Sequence, residues 1–393
     1  IYGNACKNGA QIAVDEINAE GGDIQFELNY QDDEHDAEKA VNAYNTMMDN
    51  GMQVLVGPTT TGASIAVADA CYNDRTFMLT PSASSTDVTA GKDNVFQVCF
   101  TDPNQGVGAA DYMAENFAGA KVAIIYRNDD AYSQGIRDTF VKEATDKGAF
   151  EVVYQGTFTN DTASDFSVQL AGAQNAGADL VFLPIYYQPA SIIFSQAKAM
   201  GYAPTFFGVD GMDGILTMPG FDASLAEGLM LMTPFSATDE ANQAFVDAYT
   251  AAYGTEPNQF AADAYDGVYI VKAALEAAGC TADMSNEEIC DALVSAMTSL
   301  KFTGLTGTDM TWNAEGQVSK APTAYVVKDG QYVKAKFRKR KKLRPFSKAG
   351  CRERKLPAAY ALFLWRKRRQ VFSRLCPCFC HRRTCLLYTS DAA

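Results

Sequence analysis

"MQVLVGPTTTGASIAVADACYNDR", residues 52–75, joins a short apolar run to a hydroxyl-rich turn and then to a stretch rich in small apolar residues. Its first part, "MQVLV", is apolar but for Gln53 rather than alternating, as expected of a strand covered on both faces. "GASIAVADACYNDR" has the length and spacing of a helix, so the unit reads strand–loop–helix. The loop between them nearly matches the phosphate-cradling pattern G-x-x-x-x-G-K-[ST], with Gly57, Gly62 and Ser64 in place. Ala63 stands where the pattern needs lysine, which removes the charge that reaches the outer phosphates and with it the nucleotide reading.

The same unit recurs along the chain. "IQFELNYQDDE" reads as a strand, followed by the helix "DAEKAVNAYNTMMDNG", with Asp36 at its N-cap and Gly51 just past its end. "TFMLTPSAS" and "NVFQVCF" are strands, and "NQGVGAADYMAENF" is a helix. From Lys121 the rhythm restarts: "KVAIIYRND", helix 133–147, "EVVYQGTF", helix 164–176, "ADLVFLPIYY", helix 189–200 and "TFFGVD". Two such series predict an α/β protein of two doubly wound parallel-sheet domains.

The 393 residues suffice for two domains, and the net charge of −14 conceals an asymmetry. Beyond Lys336 lie 17 of the 33 Lys+Arg and 2 of the 47 acidic residues, leaving 16 basic against 45 acidic in the body. So acidic a body is not expected to bind nucleic acid or an anionic membrane. In the basic tail, Cys376, Cys378, Cys380 and Cys385 form no C-x-x-C pair, which argues against a zinc site. The tail, 337–393, reads as a non-native product of frameshift or read-through outside the fold. At the other end, "IYGNACKNGAQIAVDEINAEGG" has no initiator Met or signal peptide and opens almost directly on a helix, stopped by Gly21-Gly22. An α/β domain ordinarily begins with a strand, so an N-terminally truncated chain is expected. Five cysteines lie in the body, and Cys280 and Cys290 bracket a loop short enough for a disulfide or stand as two free thiols.

In open α/β sheets ligands sit beyond the carboxyl ends of the strands. Those ends hold "TTTGAS", "TPSASS", "RNDDAYS", "PIYYQP" and "GVDG": hydroxyls, tyrosines and the carboxylate of Asp210, with no histidine, cysteine or lysine. The one histidine of the body, His35, lies in the turn "DDEHD", read as helix N-cap and dipole chemistry rather than a metal cluster or part of a triad. The expectation is a protein without catalytic function, metal or cofactor. Hydroxyls opposite a carboxylate suit a zwitterion.

Taken in order, "NGAQIAVDEINAEGG", "YQDDEHDAEKAV", "VGPTTTGASIAVA", "TPSASSTDVT", "VFQVCFTDPNQG", "KVAIIYRNDDAYSQG", "FGVDGM" and "KFTGLTGTDMTWNAEGQ" resemble the branched-chain amino-acid-binding proteins. These are extracytoplasmic receptors of ABC importers with the type I periplasmic-binding fold. The resemblance runs from about residue 3 to 336. It implies two lobes on a multi-strand hinge, 1–119 with 236–310 and 120–235 with 311–336. The chain would cross near 118–120, near 233–236 and around 305–325. The family's first strand would be missing from inside the first sheet, leaving that lobe poorly folded.

The resemblance also implies a site. The ligand's α-carboxylate would meet the Thr61 hydroxyl, with further contacts from the Ser82 carbonyl and the Ser84 side chain. Tyr132 and Tyr186 would face it from the second lobe, with Tyr187 an alternative to Tyr186, and Asp210 would take the ammonium where close relatives often carry Glu. Phe260 or Tyr265 would line a side-chain pocket, while Thr59 and Thr60 would serve as loop and N-cap residues. The implied protein is a monomer, periplasmic or a cell-surface lipoprotein, that binds a small-molecule amino acid by hinge closure and delivers it to an ABC permease. The alternative on the same fold is an amide or small-ligand sensor domain of a receptor or regulator.

Overall fold

The computed structural model describes residues 1–335, and the expectation for the basic tail lies outside them. The first sheet is small and parallel, ordered β1 (Val54–Val56), β2 (Phe77–Thr80), β3 (Val95–Gln97). Side chains along β2 alternate between two cores, as the twofold period of a strand requires. Phe77 and Leu79 pack with Ile270 and Leu293, of α9 (Gln259–Ala278) and α10 (Asn286–Met297). Met78 turns the other way, toward Tyr44 of α2 (Ala37–Asp49) and Val67 of α3 (Thr61–Asn73). Helix α1 (Tyr2–Glu20) lies against α9 so closely that a Cβ on Gly9 would stand 2.0 Å from the Ala261 carbonyl oxygen.

The second sheet has seven strands. Five are parallel: β4 (Lys121–Arg127), β5 (Glu151–Phe158), β6 (Leu180–Leu183), β7 (Thr205–Gly208) and β8 (Met230–Thr233). β9 (Thr323–Lys328) and β10 (Gln331–Lys334) join antiparallel to give the order β10-β9-β8-β7-β6-β4-β5, so this sheet is mixed rather than purely parallel. Val122, Ile124, Leu180 and Phe182 face one core, with α4 (Asp102–Asn116) and α5 (Ala131–Lys147). Ala123, Ile125, Val181 and Leu183 face the other, with α6 (Ser167–Asn175) and α7 (Tyr187–Ala199).

Three expectations change. Residues 24–34 form no strand. Ile24, Phe26 and Leu28 still turn inward between exposed Gln25 and Glu27, but among the described residues the ladder-like bonds to this stretch come from a side chain: Asn18 donates to the Phe26 carbonyl and accepts its N–H, both at 2.8 Å. The boundary at 119/120 moves back to about 101, because Ala109, Ala110, Tyr112 and Met113 of α4 pack in the second lobe's core. The boundary at 310/311 moves forward to about 320. Met310, Trp312 and Val318 pack on the first sheet, and the Trp312 indole donates to the Gln97 carbonyl at 2.8 Å.

The remaining crossing follows β8, beyond which Phe235 and Phe245 enter the first lobe's core beside α8 (Gln243–Tyr253). At the third crossing Lys320 is buried and pairs with Asp263 of α9 at 2.8 Å and with the Thr306 hydroxyl at 2.6 Å. Cys280 and Cys290 are free thiols, and Cys290 lies on the buried face of α10.

Candidate functional site

The carboxyl ends of the strands bring the site together. Asp210 follows β7 in a 3-10 turn, Asp210–Met212, and is 2 % exposed. Tyr132 sits in the first turn of α5, whose N-cap Asp130 accepts the Ser133 N–H. Its hydroxyl donates to Asp210 Oδ1 at 2.5 Å and accepts the Gly211 N–H at 3.0 Å. Tyr186, at the start of α7, stacks on Tyr132 with ring centroids 4.7 Å apart and planes 6° from parallel. Tyr187, the alternative to Tyr186, turns instead toward its own lobe's core.

The first lobe supplies the opposite wall. Thr61 opens α3, and its buried hydroxyl has no hydrogen-bond partner. The Ser82 hydroxyl donates to the Thr59 carbonyl at 2.5 Å, while that of Ser84 donates to Asp102 Oδ1 at 2.7 Å. Thr60 occupies the N-cap position of α3, as expected, though its side chain makes no cap bond. Its hydroxyl lies 2.8 Å from His35 Nδ1.

Four residues join the site that the strand-end inventory did not include. Asp102, in the first turn of α4, is buried with Oδ2 unpartnered. Gln105, one turn on, accepts the Asp210 N–H at 3.2 Å and reaches the Ser84 hydroxyl at 3.4 Å, linking the two walls. Tyr2 of α1 donates to the Gly211 carbonyl at 2.5 Å, accepts the Tyr187 N–H at 3.2 Å and lies 4.3 Å from the Phe260 ring, centroid to centroid. Phe260 is therefore the aromatic on this side. Tyr265 is committed elsewhere, donating to Glu16 at 2.6 Å. His35 closes the rim, edge-on to the Tyr186 ring at 5.6 Å. The sequence carried a faint signal for two of them, since Asp102 and Gln105 share one face of a helix that starts beyond a strand end.

The electrostatics are those of acids without cations. Burial pushes the Asp210 carboxyl up to about 7, against the lowering effect of the Tyr132 hydroxyl and Gln105. Asp102 is raised well above the usual carboxylate range by burial, partly offset by Ser84 and reinforced by the carboxyls of Asp210 and Asp130. Neither acid forms an ion pair among the described residues. Burial also holds Tyr2, Tyr132 and Tyr186 neutral, well above the usual phenol range. Among the described residues no three His, Cys, Asp or Glu side chains gather as a metal-holding group. The site offers hydroxyl donors, two carboxyl acceptors and an aromatic wall.

Comparison with known proteins agrees with this architecture. The sequence profile described as periplasmic binding protein matches residues 1–331. The Leu/Ile/Val-binding protein BraC3 of Rhizobium johnstonii is 32% identical over 286 residues, covering 72% of this chain and 77% of its own. The crystal structure of the branched-chain amino acid transporter substrate-binding protein LivJ from Streptococcus pneumoniae, in complex with isoleucine, is 30% identical. It superposes with a TM-score of 0.73 over 85% of this chain and 95% of that one. A leucine-binding protein LivK from Thermotoga maritima, 26% identical, gives 0.74 over 85% and 93%. The chain belongs to the periplasmic binding protein family, with the type I fold of the branched-chain amino-acid receptors.

Proposed function

We propose that this chain is the extracytoplasmic receptor of an ABC importer, and that it takes an α-amino acid between its lobes by hinge closure and delivers it to a membrane permease. The observation that carries the reading is Asp210, a buried acid with no ion pair among the described residues, set across the cleft from hydroxyls that include the unpartnered Thr61. An isolated buried carboxylate is costly, and a ligand ammonium removes that cost. The ligand's carboxylate in turn gives Thr61 the acceptor it lacks, with Ser82 contributing through its carbonyl to the ammonium end and Ser84 through its side chain. Asp102, whose Oδ2 is also unpartnered, adds a second acid to that end. Tyr132 and Tyr186 cover the ligand from the second lobe, and Tyr2 with Phe260 supplies apolar surface for its side chain. A closed form populated by ligand is the state a permease can recognise.

The names of the relatives favour leucine, isoleucine or valine as the class to test first. The test is a thermal-shift and calorimetric panel of the twenty amino acids plus urea and short amides. The expected result is a shift for one or more aliphatic amino acids, abolished in Asp210→Ala. A response confined to ligands lacking an α-ammonium would replace the amino-acid reading with the amide-sensor alternative.

A further inference from the structure

Just beyond Asp210 a second buried acid, Asp213, crosses from one lobe to the other. Its neighbours Met212 and Ile215 pack in the second lobe's core. Its N–H donates to the Asp210 carbonyl at 2.8 Å, and its Oδ1 accepts the adjacent Gly214 N–H at 2.9 Å. Oδ2 leaves the second lobe altogether and accepts the Gln259 N–H at 2.7 Å. Gln259 is the first residue of α9, the 20-residue helix at the centre of the first lobe's packing. A side chain of one lobe therefore satisfies an N–H group that the helix start of the other leaves open. Asn258, the N-cap of α9, accepts a different one, that of Ala261, at 3.2 Å. Burial pushes the Asp213 carboxyl up to about 6 while the Gln259 and Gly214 bonds draw it down, so at pH 8 it stands ionised at the positive end of the helix dipole.

The turn meets the first lobe at two further points. The Gly211 carbonyl accepts the Tyr2 hydroxyl, and Gly214 lies so close to the start of α1 that a Cβ there would stand 2.8 Å from Ile1 Cγ2. Tyr2 packs on Phe260, the residue after Gln259, with ring centroids 4.3 Å apart. One short turn thus carries two attachments of opposite origin. Asp210 is held from within the second lobe by Tyr132 and Gln105, whereas Gly211 and Asp213 are fastened to the two first-lobe elements that present Tyr2 and Phe260. We propose that Asp213 is a positioning residue that fixes the Tyr2–Phe260 wall at a set distance from Asp210, and so selects the length of ligand side chain the site accepts. The inference rests on the reading that Asp210 takes the ligand's ammonium and the wall its side chain. Truncating Asp213 leaves the bonds of Asp210 to Tyr132 and Gln105 in place, so the ammonium end keeps its geometry while the wall loses its reference point.

The experiment has two arms on the full chain at pH 8. Calorimetry measures alanine, valine, leucine and isoleucine, with weak binders read by displacement of the tightest, and hydrogen exchange is followed without ligand. In Asp213→Ala the tightest of the three branched amino acids should lose about tenfold in affinity, the low end of what one methylene in an apolar pocket is worth. Alanine, whose methyl touches little of the wall, should keep its affinity. Asp213→Asn retains an oxygen for the Gln259 N–H and should recover part of the discrimination. Asn258→Ala removes a cap bond internal to α9 and should leave the ratio of alanine to branched affinities unchanged. Without ligand, Asp213→Ala should accelerate exchange both in 210–214 and in the first turn of α9, and Asn258→Ala in the latter alone. An equal loss for all four amino acids, or the same change of ratio in Asn258→Ala, overturns the proposal. If none of the four binds the wild type, the ligand reading fails by itself, and exchange that accelerates in one lobe only still overturns the link through Asp213.

Discussion

On the second lobe Asp210, Tyr132, Gly211 and Gln105 share a continuous run of hydrogen bonds, whereas on the first lobe Thr61 has a buried hydroxyl with no partner at all. The sheets behind them differ in the same sense. The second has seven strands with a core on each face, while the first has three short ones and an extended segment, 24–31, beside them that pairs with no strand. The second wall holds Asp210 in a continuous network on a broad scaffold, although Asp102 Oδ2 and the Tyr186 hydroxyl are orphaned there, while the first is left unfinished at Thr61. In a two-lobed receptor that division lets the rigid wall set orientation and the unfinished one register occupancy.

The largest expected effects test the rigid side. Phe182 is fully buried between Phe140, at 4.1 Å between ring centroids, and Phe207. Phe182→Ala should cost about 3–5 kcal/mol of stability, measured by denaturant unfolding. If the second lobe is the more robust, wild-type hydrogen exchange should show 24–31 and β1 opening well before β4 and β6. Uniform protection would end the contrast. Asp210 should reveal the cost of the pre-organised wall. Its carboxyl titrates near 7 when folded, against 3.8 for a free carboxyl, so the folded state binds the extra proton. Ligand-free stability should therefore fall as pH rises from about 4 to 7 and level off above it. Asp210→Asn should flatten that slope and stabilise the ligand-free protein at pH 8 by up to ~4 kcal/mol, while weakening amino-acid binding by about 30-fold or more.

Thr61→Val tests the unfinished side and should separate binding from stability. The hydroxyl has no partner to lose, so the ligand-free melting temperature should stay the same or rise. Amino-acid affinity should fall about tenfold, the worth of one hydrogen bond to a charged group. An equal loss in both measurements would mean that Thr61 supports the fold rather than the ligand.

How far the sequence carries this picture depends on the range of the signal. Local signals read through: Asp36 caps its helix as expected, and the apolar runs at 121–127 and 180–183 became strands whose neighbours face opposite cores. Lobe membership did not read through. The stripe Ala109, Ala110, Met113 identifies a helix but not which sheet receives it, and that choice moved the first crossing by nearly twenty residues. Trp312 and Val318 were misassigned for the same reason. At the site, residues at strand ends were legible because topology directs ligands there. Tyr2 was not, since it lies on a helix 209 residues from the glycine it bonds. Asp102 has the sequence appearance of ordinary helix-terminus chemistry, and only its burial and orphaned Oδ2 set it apart.

The smallest effect concerns the segment 24–31, where pattern and structure diverge. Its apolar positions alternate as a strand's would, yet strand geometry without a ladder leaves backbone groups to find other partners. Asn18 supplies two of them, presenting its amide to the Phe26 backbone as a neighbouring strand would. Asn18→Ala should therefore cost only about 1 kcal/mol globally, because Phe26 and its neighbours are exposed enough for water to take over. Locally the effect should be large, with hydrogen exchange across 24–31 accelerating while β4 and α5 are unchanged. Asn18→Asp keeps one acceptor for the Phe26 N–H and should recover part of the protection. If Asn18→Ala instead lowered stability by as much as a core deletion, the segment would be an integral strand of the first lobe, and the contrast between the two lobes would lose its structural basis.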